Sequence, residues 1–148
     1  MKKCRLIYKS KATPELKEPG VMQELAEKAS RANLELGITG LLLLTGDQIL
    51  QVLEGPTRFV NQLYNRIVVD PRHTDVELMS FDIVDGALFY DWNMKFLDLR
   101  NLAPSVHALF LMKYPNQNDV ITLPTDTINA LALLIDAKNV GLSGSLES

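Results

Sequence analysis

The chain has 148 residues, 47% of them hydrophobic and 22% charged, with a formal net charge of −3, which is one domain's worth of chain with an ordinary globular composition. Its longest basic run is Lys2-Lys3, so no nucleic-acid footprint is expected. A single cysteine, Cys4, excludes an intrachain disulfide, and two histidines far apart in sequence, His73 and His107, leave no zinc site to expect.

Residues 4–8 read as a first strand, and residues 11–20, with Pro14, Pro19 and Gly20, as a loop. Met22, Leu25, Ala26, Ala29, Ala32, Asn33 and Leu36 recur at helical spacing and stop before Gly37, a good helix terminator. Two apolar strands follow, residues 37–44 and 48–55, joined by a hairpin-like turn at Thr45-Gly46-Asp47. Pro56 suits the start of a second helix. Phe59, Val60, Leu63, Tyr64, Ile67 and Val68 supply that helix's apolar face, and Pro71 closes it. Residues 76–84 and 94–99 read as strands four and five. The expected order is β-α-β-β-α-β-β, an α+β domain.

Leu41 to Leu44 make strand two apolar at both parities, so both faces of its sheet must be covered. The two helices cover one face, and the C-terminal region is expected to cover the other. A short helix around Val106, Leu109 and Phe110 precedes a longer one over residues 128–137, apolar nearly all round, which calls for burial on the sheet or against a partner chain. The resulting division is a core over residues 1–100, a helical cap over 101–140 and a flexible Gly/Ser-rich tail over 141–148.

Gln51 is the residue that breaks the pattern, an amide inside a run that should be all core. A buried amide must find partners or cost roughly 1–3 kcal/mol, and it can bridge two polar groups at once. On local sequence alone the favoured reading is a glutamine satisfying backbone at a strand edge.

Five pieces then line up: Tyr8 at the end of Arg5-Leu6-Ile7-Tyr8, Asn33 four residues before Gly37-Ile38-Thr39-Gly40, Gln51 in Gln51-Val52-Leu53-Glu54-Gly55, Arg66 to His73 at the end of helix two, and Trp92-Asn93-Met94 opening strand five. Together they resemble the BLUF family, blue-light sensors that use FAD, over about residues 3–100. The resemblance implies a ferredoxin-like fold with the flavin ring between helices one and two. It implies no enzymatic chemistry of the domain's own, but light-driven electron and proton transfer from Tyr8 and a rearranged Gln51 amide, with Trp92 and Met94 near that glutamine. It implies that Asn33 and Gln51 bind the polar edge of the ring, and that Arg66 and Asp70 lie near its pyrimidine side or ribityl chain. Ala29 and Ala32 depart from the polar residues common in the family, and residues 84–89 lack its arginines.

Without the resemblance, Asn33 could bond nearby backbone, Arg66 and Asp70 could be an i,i+4 surface pair, Trp92 and Met94 could be plain core, and His73 reads as a solvated turn residue. The alternatives to a photoreceptor are a ferredoxin-like domain or enzyme for another small ligand, or an interaction domain without flavin. The N-terminal stretch lacks a signal-peptide core, and no apolar run approaches the roughly 18 residues of a membrane span, so a cytoplasmic protein off the membrane is expected. Its partner is a downstream protein or output domain, such as a cyclic-nucleotide or cyclic-di-GMP enzyme, with self-association left open.

Overall fold

The computed structural model describes residues 2–143. The element order is β1 (Lys3–Ala12), α1 (Val21–Leu36), β2 (Thr39–Thr45), β3 (Gln48–Pro56), α2 (Thr57–Val68), β4 (His73–Val84), β5 (Lys95–Asp98), α3 (Pro104–Lys113), the two-residue strands β6 (Asn116–Gln117) and β7 (Val120–Ile121), and α4 (Thr127–Ser143). The first seven follow the expected order. Five strands form one sheet in the order β4-β1-β3-β2-β5. All its pairings are antiparallel except β2 with β5.

Alternation along the strands sends two sets of side chains to two cores. Leu6, Tyr8, Leu42, Leu44, Ile49 and Leu53 join Met22, Ala26 and Val60 beneath α1 and α2. Ile7, Leu41, Leu43, Leu50 and Val52 face Phe110, Leu133, Leu134 and Ala137 of α3 and α4. The all-apolar strand two is therefore covered on both sides, and the C-terminal helices lie on the face opposite α1 and α2. Ala130, Leu133, Leu134, Ala137 and Val140 of α4 are buried within the chain. Ile128 and, on α3, Leu109 are exposed, so the apolar character of these helices exceeds what the sheet takes up. Helix α4 runs on through Gly141 to Ser143, residues whose composition reads as tail. Residues 144–148 lie outside the described part.

Two strand boundaries and one helix face differ from the sequence reading. Strand β1 continues four residues past Tyr8, because Lys9 to Lys11 pair with β3 on one side while Lys9, Lys11 and Ala12 pair with β4 on the other. Tyr8 thus stands in the middle of a central strand and not at its end. Strand β4 begins at His73, three residues early. Val68 is exposed and takes no part in the apolar face of α2. A short hairpin, β6–β7, was not foreseen, although Asn118 and Asp119 at its tip, both with positive φ, are the residue types that such a two-residue turn favours.

Gly40 is required by close approach. A Cβ there would stand 2.2 Å from the Val52 carbonyl oxygen and 3.1 Å from Met94 Cε. The bare backbone lets β2 lie tight on β3 while Met94 reaches over it.

Candidate functional site

Tyr8, Gln51 and Leu42 stand side by side on β1, β3 and β2, all facing α1 and α2. The Tyr8 hydroxyl donates to Gln51 Oε1. Gln51 Nε2 donates to Met94 Sδ at 3.3 Å. The amide is 6% exposed, and its two ends are held by a phenol and a thioether. Burial, then the nearby Tyr64 and Asp70, push the Tyr8 phenol far above its ordinary range, so the hydroxyl keeps its proton. The Tyr64 ring packs tilted on Tyr8 at 5.7 Å between centroids.

These residues form one wall of a cavity of about 240 Å³ between α1, α2 and the sheet. Leu25, Ala26 and Ala29 of α1 and Leu63 and Ile67 of α2 line it, with Leu42 and Ile49 from the sheet and Met94 just ahead of β5. Asn33, Arg66, Asp70, Arg72 and His73 supply its polar lining.

Asn33 is buried at 2% exposure. Its Nδ2 donates to the Asn93 carbonyl at 3.0 Å, and Asn93 Nδ2 donates to the Ile38 carbonyl at 2.9 Å. Asn33 is thus more than a residue capping its own helix, since it ties α1 to the segment that carries Met94. Asp70 does not pair with Arg66. It grips Arg72 instead, accepting from its backbone N at 2.9 Å, Nε at 3.0 Å and Nη2 at 2.6 Å. The Arg72 hydrogen bond is the main reason that the Asp70 carboxyl lies below its usual range. Arg66, in the last turn of α2, makes no ion pair among the described residues and lines the cavity as an available cation.

His73 corrects the reading of a solvated turn. It is 9% exposed, its ring edge faces Tyr8 at 6.2 Å between centroids, and both ring nitrogens are engaged. Nε2 lies 2.6 Å from the Ile67 carbonyl and Nδ1 lies 2.8 Å from Ser10 Oγ. A carbonyl only accepts, so Nε2 carries the hydrogen, and in the neutral ring the Ser10 hydroxyl donates to Nδ1. Its partners lie 6 and 63 positions away, which hid the contact from local sequence. The functional reading likewise missed Arg72; its adjacency to Asp70 was the available signal.

Trp92 is not in the cavity wall. It packs with the core beneath α3 and α4. The chain crosses the sheet end between Trp92 and Met94, and it is Met94 that occupies the place beside Gln51. Ala29 lines the cavity, whereas Ala32 is exposed on the outer side of α1.

The lining fits a flavin. A planar aromatic ring system needs two apolar walls, which α1 and α2 supply, and hydrogen-bonding groups at its polar edge, which Asn33 and Gln51 offer. Cationic Arg66 and Arg72 suit an electron-rich or phosphorylated portion. No cluster of three or more metal-ligating side chains occurs among the described residues. No helix there is long and apolar enough to cross a membrane.

Comparison with known proteins agrees with this geometry. The beta subunit of a photoactivated adenylate cyclase from Euglena longa is 35% identical over 92 residues, 62% of this chain and 11% of that protein. The chain thus spans about a tenth of that relative's length. The structure of Klebsiella pneumoniae BlrP1 with FMN and cyclic diGMP is 32% identical and superposes with a TM-score of 0.68 over 93% of this chain and 35% of that one. The dark-state structure of BlrB, a BLUF protein, is 28% identical with a TM-score of 0.67, covering 95% and 97% of the two chains. Residues 4–95 match the pattern of sensors of blue light using FAD, and because they make up more than half of the chain, the protein belongs to the BLUF family.

Proposed function

We propose that Tyr8 and Gln51 are the photoactive pair of this blue-light sensor, that Met94 is the third member of their relay, and that Asn33, Gln51, Arg66 and Asp70 hold the flavin. The observation that carries the reading is the buried chain of contacts from the Tyr8 hydroxyl through the Gln51 amide to Met94 Sδ on the wall of the cavity beneath α1 and α2. Bound FAD supplies the blue absorption and an excited state able to oxidise a phenol. Tyr8 is suited to answer it because its proton stays on until the electron leaves and its O–H already points at an acceptor. Gln51 is suited to rearrange because a thioether is a weak acceptor. Turning the amide away from Met94 therefore sacrifices little hydrogen bonding. Asn33 positions Asn93, and through it the backbone before Met94. The Asp70–Arg72 pair fixes the turn after α2 and leaves Arg66 available to the ligand. Trp92 enters indirectly, through the packing of the segment ahead of Met94.

The output lies elsewhere, in another chain or a further domain, as the cyclase in the Euglena relative's name and the cyclic diGMP in the BlrP1 complex suggest. We place the protein in the cytoplasm, consistent with a lone free cysteine. Exposed Leu109, Met112 and Ile128 on α3 and α4 offer a surface for self-association.

The test is an absorption spectrum of the FAD-loaded chain before and after blue light, in the wild type and in Tyr8→Phe. The wild type should show a reversible red shift. Phe fills the same volume without the hydroxyl, so the variant should retain flavin and show no shift. A Tyr8→Phe protein with a normal light-induced shift overturns the assignment.

A further inference from the structure

Lys138 lies on α4, beyond the residues that match the family pattern, yet its side chain is only 17% exposed and is committed to the loop between β4 and β5. Its Nζ donates to the Leu88 carbonyl at 2.7 Å, lies 3.3 Å from Asp91 Oδ2, and sits 5.1 Å from the centroid of the Tyr90 ring. Three groups of one loop thus converge on one ammonium. Asp91 Oδ2 is enclosed and has no directed hydrogen bond, so Lys138 is its countercharge. One turn further along α4, a Cβ on Gly141 would come within 3.1 Å of the Trp92 ring, so the indole lies flush on the helix backbone. At its other end the loop is held by Glu54, buried at 1% exposure, which accepts from the backbone of Leu88 at 3.0 Å and Phe89 at 2.6 Å.

The clamped loop runs directly into the photoactive site. The Trp92 carbonyl accepts from Gly40 N at 3.0 Å, Asn93 bonds both Asn33 and Ile38, and Met94 receives the Gln51 amide. Only two residues, Trp92 and Asn93, separate the Lys138 contact at Asp91 from the Gln51 contact at Met94. Main-chain hydrogen bonds on that stretch leave little slack to absorb a displacement.

We propose that Lys138 is a positioning residue for Gln51: by anchoring the loop over residues 88–91 to α4, it sets how far Met94 reaches across Gly40 toward the glutamine amide. The inference rests on the reading of Gln51 as photoactive. It adds that the face of the sheet opposite the flavin tunes that site, and it singles out a side chain that no part of the flavin cavity contains.

The test uses the FAD-loaded full chain with Lys138→Met, which keeps the stem and removes the charge and the donated bond, and with Asp91→Asn, which removes the charge from the other partner. The first readout is the ¹³C resonance of the Met94 methyl group in the dark. The second is the rate of dark recovery after a blue flash. Both variants should displace the methyl resonance and change the recovery rate by about two- to thirtyfold, the range of coupling carried by packed networks. In a Met94→Leu background the Lys138→Met effect on recovery should disappear, which a general loss of stability would not produce. An unmoved Met94 resonance in both variants, or an undiminished Lys138→Met effect in the Met94→Leu background, overturns the proposal. Gln51→Leu separates it from the parent reading: a normal red shift in that variant removes Gln51 from the photochemistry, whereas the methyl resonance reports on Lys138 in either case.

Discussion

At the residue scale, the site depends on a few polar groups whose partners lie in distant parts of the chain. Gln51 announced itself because it is polar within an apolar run. Tyr8 and Asn33 needed the family resemblance, since a tyrosine in a strand and an asparagine on a helix are each compatible with ordinary packing. His73, Arg72 and Glu54 were illegible for a common reason: each is buried or engaged by contacts with loops and strands, and local polarity reads the same for a buried charge as for a solvated one. The Asp70–Arg72 pair makes a pH prediction. The Asp70 carboxyl is held below its usual range in the folded state, chiefly by the Arg72 hydrogen bond. Its contribution to stability is therefore full above the unfolded carboxylate value of about 4 and is lost as pH falls through the folded one. Arg72→Gln should lower stability at neutral pH and flatten the loss of stability on acidification. Urea melts at a series of pH values would show parallel wild-type and variant profiles if the pairing contributed nothing.

At the element scale, the first helix, the β2–β3 hairpin and the second helix were legible because their hydrophobic periods are strong and their ends are marked by Gly37, Gly46, Pro56 and Pro71. The ends of β1 and β4 were not. Lys11 and Ala12 read as loop, and only the neighbouring strands make residues 9–12 extended. Asp75 at positive φ similarly disguises the start of β4. Gly40 gives the prediction at this scale. Adding one methyl group puts it in collision with backbone rather than with a side chain that could swing away. Gly40→Ala should destabilise the protein by about 1–3 kcal/mol, the usual range for overpacking, and should push Met94 off Gln51. A denaturation midpoint equal to the wild type's would show that β2 and β3 can part without cost.

At the scale of the whole molecule, two cores share one sheet, with the flavin cavity in one and the C-terminal helices on the other. That arrangement was legible from strand two alone, apolar at both parities. Which loop would connect the two faces was not, because Lys138 and its partners Leu88 and Asp91 lie about fifty positions apart in sequence. If strain at Gln51 reaches the far face through that loop, α4 should report the light state. Amide exchange across residues 103–140 should differ between dark and illuminated samples, most of all near Lys138. Identical protection in the two states would leave the helices as a static cover.

The position of β1 carries one more consequence, for the order in which the molecule comes into being. This strand leaves the ribosome before the rest of its sheet, yet it lies inside that sheet, and both its neighbours come much later: Lys3 pairs with Pro56 on one side and with Val84 on the other. Closing such long loops costs chain entropy before any contact repays it. β1 cannot have both neighbours until the chain has been made through residue 84 and has cleared the exit tunnel. Until then the nascent β1, with Leu6, Ile7 and Tyr8 uncovered, is the segment most in need of protection from premature association.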